Sequence, residues 1–568
     1  MKILLIYPYF LEERIHAEEI RTMPIGIYYV AAMLKEQGYE IEIFNGCDAG
    51  CAPEAIEAIL RERPPDIIGF SILNANRWGG IEIARMAKCI NPDITIVFGG
   101  VGATFLWEHL LTHFKEIDFI VMGEGEYTFR NLVRSLEQGN KDFKDVNGIA
   151  FRSNEEIVRN PPDETISDLD VLPIPAKYFT YNQVASSRGC TMECTFCGSP
   201  AFWGRKVRFR SAKHFIEELG MLYQKGITFF YFADDTFTVN KRRVIEICRA
   251  IIQTKLMISW YAIARVDHVD EEILYWMRLA GCIQISYGVE SGSDIIRNFL
   301  NKKISKDQIK RAFALTTRYG ILARAYFIYG SPGETWKTIQ ETLDLIHEIQ
   351  PLSVIFYILD IFPGTALYDE FKERCHVTDD IWLKRIEDIP YCEMEPALPS
   401  DLILAFGQRL RTDFYGNVHQ FAKAVQLIDK KELYPLHADF LSRLGMTFSH
   451  GDYSRVDHVQ GKDLTAEMLF QRALAYYPDQ RAFLGLAILK QKQGDFQKAI
   501  QFALKGIRYF PENKDLNICL GISYMNMGEY NQALSYLLKF QDLEETKPYI
   551  IECYHKLDVR VDEDLNLA

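Results

Sequence analysis

Ser187-Arg188-Gly189-Cys190-Thr191-Met192-Glu193-Cys194-Thr195-Phe196-Cys197-Gly198 is the stretch from which the rest of the 568-residue chain is best read. Its cysteines are spaced C-x3-C-x2-C. With twelve cysteines in the chain, chance supplies a given spaced triplet about 0.005 times. Three thiolates on one short loop suit a soft metal centre: either a cluster with one open iron, or a zinc site completed from elsewhere. An open iron binds a substrate or cofactor directly, which is a catalytic arrangement.

The composition around this loop is that of a multidomain globular protein, with 48% hydrophobic and 25% charged residues. A formal charge of −13 repels phosphate backbones and anionic lipid, so nucleic acid is a poor partner. Met1 to Phe10 reads as a buried strand, since no small-residue cleavage site follows it. No apolar run has the length of a membrane helix. A cytoplasmic protein is expected, with its thiols reduced and serving as metal ligands or core residues.

Upstream of the cysteine loop, short apolar runs alternate with amphipathic stretches. Strands are expected at 2–7, 40–44, 66–72, 95–98 and 118–122, and helices at 26–37, 53–62 and 80–90. This alternation predicts a doubly wound parallel sheet, whose ligands sit at the carboxyl ends of the strands. Those ends carry Ser71, then Gly99, Gly100, Gly102 and Thr104, then Gly123, Glu124, Gly125 and Glu126. The glycines either admit a large flat ligand or a phosphate to the backbone, or merely make tight turns. Neither cluster matches G-x-G-x-x-G, which weakens a nicotinamide reading. The expected division is a Rossmann-like domain over 1–140 and a proline-containing linker over 141–182, with a hairpin near 148–159. A catalytic domain over 183–397 follows, then a helical connector over 398–464 and helical repeats over 465–568.

Cys190, Cys194 and Cys197, with Phe196 before the third cysteine, resemble the cluster loop of the radical S-adenosylmethionine enzymes. The resemblance implies a partial (β/α)6 barrel and a [4Fe-4S] cluster held by the three cysteines. The amino and carboxylate groups of S-adenosylmethionine would chelate the fourth iron, and its reductive cleavage would give a 5′-deoxyadenosyl radical. Segments 229–237, 260–265 and 285–292 look like the second, third and fourth barrel strands, and 330–335 and 363–365 like later strand-end loops. All are strand ends, where barrels place their chemistry. Glu290, Ser291 and Arg265 are then expected to contact the amino acid or ribose, and Asp234 and Asp235 to hold ribose or substrate hydroxyls. Lys302 either pairs the methionine carboxylate or, as the better expectation, is a solvated surface lysine.

A Rossmann-like domain ahead of such a loop resembles the cobalamin-binding domain of the B12-dependent radical enzymes, a class of C-methyltransferases and cyclases. The resemblance implies that Ser71, Gly99, Gly100, Thr104, Gly123 and Glu124 surround cobalamin. The D-x-H-x-x-G motif that supplies a lower axial histidine elsewhere is absent, and His109 and His113, four apart, do not replace it. Methylation of an unactivated carbon is the first expectation, and radical cyclisation or rearrangement without methyl transfer the second. A cluster-bearing scaffold or sensor is the third. A methylthiotransferase is disfavoured, because no second cysteine triplet precedes the loop.

After Leu398 the strand signal ends. Gly494-Asp495-Phe496 recurs as Gly528-Glu529-Tyr530, 34 residues on, which resembles tetratricopeptide repeats and implies either a protein-docking groove or a helical cap. The other nine cysteines, Cys47, Cys51, Cys89, Cys248, Cys282, Cys375, Cys392, Cys519 and Cys553, read as small hydrophobes or free thiols, with Cys282 nearest the active strands. Arg205, Lys206, Arg208 and Arg210 form a basic cluster that either attracts an anionic substrate or an electron donor such as a flavodoxin or ferredoxin, or is a solvated face. The aromatic residues Phe202, Trp203, Phe209, Phe327, Tyr329, Phe356 and Tyr357 suit an apolar or ring-containing small substrate, or ordinary core.

Overall fold

A computed structural model describes residues 1–11, 23–48, 53–153, 156–390, 393 and 395–559; Cys51 and Cys392 lie outside the described residues. Its first sheet holds β1 (Lys2–Tyr7), β2 (Glu40–Asn45), β3 (Ile67–Ser71), β4 (Thr95–Gly99), β5 (Phe119–Val121), β6 (Ile149–Ser153) and β7 (Glu156–Arg159). The order is β2-β1-β3-β4-β5-β6-β7, the first five parallel and the last two antiparallel. Near-continuous apolar runs such as Ile3 to Tyr7 mark strands covered on both faces. Helices Ile25–Lys35 and Gly125–Glu137 bury Ile27, Leu34, Leu132 and Val133 on one face, and helices Arg77–Ile90 and Trp107–His113 bury Ile83, Ala84 and Leu110 on the other.

The hairpin of β6 and β7 extends this sheet through β5, although the polar sequence around it reads as linker. The polar run beyond it is also anchored: Ile166, Leu169 and Leu172 pack on Tyr29 and Met33.

The second sheet begins at β8 (Gln183–Val184); the short strands β9 (Ser187–Arg188) and β10 (Arg208–Phe209) pair beside it as an antiparallel ribbon. It continues through β11 (Phe229–Phe232), β12 (Ser259–Ala264), β13 (Cys282–Glu290), β14 (Leu322–Tyr329) and β15 (Ser353–Ile358). All six main strands are parallel and lie in chain order from β8 to β15, with helices in the crossovers. This is an open, partial (β/α)6 barrel. Phe232 stacks on Trp260 at 4.4 Å between ring centres, both buried.

Beyond β15 the chain turns back onto the first sheet. Leu367, Tyr368, Phe371 and Trp382 join the core formed by Ile81, Phe114 and Phe98. Eight helices of eight or more residues follow among the described residues, starting with Ser400–Ala424 and Tyr434–Ser449. Phe406, Phe414, Phe440 and Leu444 belong to the same core as the barrel residues Phe215 and Trp260. Buried Arg278 donates to the Leu436 carbonyl and, at 3.1 Å, to Asp439. The period of 34 appears in the helix starts, Gln480 to Lys514 and Phe496 to Tyr530.

Candidate active site

The cysteine loop leaves β9 through Gly189, whose φ of +101° belongs to glycine and whose Cβ would lie 3.1 Å from the Lys206 carbonyl. The Cys197 N–H closes the loop on the Cys194 carbonyl at 3.2 Å. All three thiols are free and half-buried. Burial pushes the Cys197 thiol up to about 11, against hydrogen bonding from the Ser199 backbone. Burial also raises Cys194, while neighbouring Lys302 works to lower it. Phe196 packs toward the core shared with the first sheet.

Glu290, the last residue of β13, carries a φ of +65°, rare for a residue with a side chain, and the pairing with β14 slips beside it. Its Oε1 accepts from Lys302 Nζ at 2.7 Å, and both side chains are buried. Burial drives the ammonium of Lys302 down, but Glu290 and Cys194 outweigh it and hold the pKa above its ordinary value. Lys302 is therefore a buried partner of Glu290 next to the cysteine loop, not a solvated surface lysine. Gly288 makes the pair fit, since a Cβ there would lie 2.4 Å from Glu290 Oε1 and 2.6 Å from Lys302 Nζ. Arg265 grips Asp267 with two bonds of 3.0 Å and also faces Cys194.

Three expected contacts are engaged elsewhere. Asp234 is fully buried and takes bonds from the Ser186 N–H and the Ser186 and Ser187 hydroxyls, so it ties β11 to the start of the cysteine loop. Its neighbour Asp235 instead reaches the cavity, accepting from the Gly189 N–H at 3.1 Å, with burial raising its pKa. Ser291 is buried and bonds Thr342 and the Ser293 N–H. Thr104 donates to the Gly100 carbonyl at 2.8 Å and accepts from the Gly123 N–H at 3.0 Å, stapling two strand-end loops together.

Between the two sheets lies a cavity of about 820 Å³. Ser71, Gly99, Gly100, Gly123 and Glu124 line its first-sheet side, and Cys197, Ser199, Phe202, Trp203 and Asp235 its barrel side. Gly100 is fixed by its own chain: with φ of +92°, a Cβ would lie 2.7 Å from the Ile72 carbonyl oxygen. Gly26 and Gly123 are different, since a Cβ on either meets nothing within 4 Å. Glu124 borders the cavity, but its carboxylate is spent on Arg188 at 2.6 Å, Arg208 at 2.7 Å and the Ile166 N–H at 3.0 Å. Glu126 pairs with Arg188 and Glu218 with Arg210, all buried. Arg208 and Arg210 are thus internal struts and not part of a solvated basic face.

The B12 binding domain family model matches residues 19–133, and the Radical SAM superfamily model matches residues 184–346. An uncharacterized methyltransferase of Pyrococcus horikoshii is 33% identical over 381 residues, covering 65% of this chain and 83% of that protein. The chain belongs to the cobalamin-binding radical S-adenosylmethionine enzymes. The anaerobic magnesium-protoporphyrin IX monomethyl ester cyclase of Rubrivivax gelatinosus is 31% identical over 375 residues, covering 63% of this chain and 67% of the cyclase. A solved structure of the radical S-adenosylmethionine methyltransferase TsrM from Kitasatospora setae, with cobalamin and [4Fe-4S] cluster bound, aligns at TM-score 0.59 and 16% identity. The alignment covers 84% of this chain and all of TsrM.

The family's cofactors are a [4Fe-4S] cluster, S-adenosylmethionine and cobalamin, and the residues present fit them. Three free thiols on one loop are a cluster donor set, and at Gly26 and Gly123, which both line the cavity, a Cβ would meet nothing within 4 Å, which leaves room for a broad ring. Sequence reasoning missed Asp235 as the cavity residue of its pair, and the Glu290–Lys302 bridge. A lysine twelve residues beyond a strand-end glutamate carries no local sign of burial.

Proposed function

We propose that this radical enzyme methylates an unactivated carbon of a small, largely apolar substrate. The observation that supports this best is that one cavity is lined both by the strand-end glycines of the first sheet and by Cys197 of the cysteine loop. A methyl donor on one wall and a hydrogen-abstracting centre on the other would address one substrate between them. When bound, the cluster with S-adenosylmethionine supplies one-electron cleavage to a carbon radical, and cobalamin supplies a transferable methyl group.

The chain's own residues divide the remaining work. Cys190, Cys194 and Cys197 hold the cluster; the Glu290–Lys302 pair and Arg265 present fixed charges to the zwitterionic methionine moiety. Ser71, Gly99, Gly123 and Gly26 receive the corrin ring through backbone and one hydroxyl. Phe202, Trp203 and Phe362 supply an apolar wall that keeps water from a reactive radical. An electron-donor protein serves the cluster, the terminal helical pairs act as tetratricopeptide-type docking units, and the enzyme works in the cytoplasm. No described helix is long and apolar enough to cross a membrane.

The likeness to the cyclase favours a second reading, ring closure without methyl transfer. Enzyme reconstituted without oxygen is incubated with methyl-labelled S-adenosylmethionine, cobalamin, a strong reductant and cell extract. Methylation predicts S-adenosylhomocysteine and 5′-deoxyadenosine rising together, with label in a new product. Appearance of 5′-deoxyadenosine alone supports cyclisation, and a Cys194→Ala control that still yields either product refutes both.

A further inference from the structure

On the outer side of the first domain, the helix Trp107–His113 carries His109 and His113 one turn apart. Facing them is Asp380, in the short turn Asp379–Leu383 of the segment that folds back from the barrel. His113 Nε2 lies 3.0 Å and His109 Nδ1 3.8 Å from the same oxygen, Asp380 Oδ1. One ligand atom from each of the three residues falls within 4.8 Å of the others. His109 is only 5% exposed, and both its ring nitrogens are buried with no hydrogen-bond partner. A buried imidazole with neither nitrogen satisfied loses its hydration without return, and a bound ion is one of the few things that repays it. The adjacent Asp379 is already engaged by Tyr368 at 2.8 Å and Lys372 at 3.3 Å, which leaves Asp380 free to turn to the histidines.

We propose that His109, His113 and Asp380 bind a divalent transition cation of the zinc class, clipping the first domain to the segment that returns from the barrel. Two imidazoles and one carboxylate are a donor set for such an ion, with water completing the coordination on the exposed side. The three ligands come from two parts of the chain more than 260 residues apart, so the ion cross-links what hydrophobic packing already joins. The site is separate from the cysteine loop and does not depend on the proposed reaction.

The test uses the full chain with its iron–sulfur cluster reconstituted and its iron assayed, so that zinc cannot sit on the cysteines unnoticed. Protein is dialysed against zinc, and bound zinc and the thermal midpoint are measured. The proposal expects a single zinc ion per chain and a raised midpoint. Both effects should vanish in His113→Ala and in Asp380→Asn, whose partly exposed side chains can change without disturbing the core, while the iron content stays that of the wild type. Zinc uptake that is absent from the wild type, or equal in the wild type and both variants, overturns it.

Discussion

Glu290 and Lys302 show how much one buried pair decides. The strand-end glutamate is legible from its motif, but its counter-ion is not, because exposure is a property of the fold and a lysine's sequence neighbours are silent on it. Removing the lysine leaves a carboxylate in a dry, strained position. Lys302→Met is expected to destabilise the protein by about 3–5 kcal/mol in chemical denaturation, and Glu290→Gln combined with it to recover much of that loss. Adjacent Asp234 and Asp235 divide in the same way: one is consumed by Ser186 and Ser187, while the other reaches the cavity, and their identical side chains cannot tell which is which. Glu334 is a further carboxylate that sequence reading assigned no charge role. Burial lifts its pKa from 4.5 to about 7, although the Gly330 and Ser331 N–H groups donate to it. Since the folded state then holds its proton more tightly than the unfolded chain, this residue's contribution to stability is present below pH 4.5 and falls away as pH rises to about 7. Glu334→Gln should flatten that part of the stability–pH curve; an unchanged slope would count against the assignment.

At the scale of elements, apolar runs and turns locate the parallel strands of the first sheet, because strands buried on both faces are written as continuous hydrophobic sequence, whereas the barrel strands, with their alternating burial, are legible only through the family resemblance of their segments. The hairpin of β6 and β7 is harder to place: its polar surroundings suggest linker, and only its pairing with β5 assigns it to the sheet. The basic cluster after the cysteine loop is misleading for a related reason. Arg208 and Arg210 find their partners Glu124 and Glu218 in other elements, so two arginines that look like part of a charged face are internal struts, while Arg205 and Lys206 stay exposed. Arg188 joins the β9 end of the cysteine loop to Glu124 and Glu126 beyond β5. Arg188→Met should therefore loosen the loop and leave two acids short of a partner. The expected result is a stability loss of about 3–5 kcal/mol with a lower iron content after reconstitution, measured against wild type at equal protein concentration. Gly288→Ala should act more narrowly, forcing the Glu290–Lys302 pair apart and weakening S-adenosylmethionine binding while iron is retained.

Across the whole molecule, the cavity exists because two sheets are held face to face, and the segment after β15 does part of the holding. Arg77 reaches from the first domain to donate to the Ile386 carbonyl at 2.6 Å and stacks over Trp382, whose ring is fully buried. Trp78 donates to the Lys384 carbonyl at 3.0 Å. Trp382→Ala opens that contact and should cost about 3–5 kcal/mol in unfolding experiments. No run of residues in the sequence announces this docking, since it depends on contacts between positions some 300 apart. The central claim is that two cofactor sites, built from separate domains, share one chamber and can be lost separately. The most direct measurement is iron and cobalamin content of the anaerobically reconstituted full chain, compared with Cys194→Ala and Gly26→Trp, the latter filling open space on the cavity wall. The account predicts about four irons with bound cobalamin in the wild type, iron lost but cobalamin kept in Cys194→Ala, and the reverse in Gly26→Trp. Wild-type protein that retains no cobalamin, or a Gly26→Trp variant that retains it undiminished, would contradict the account.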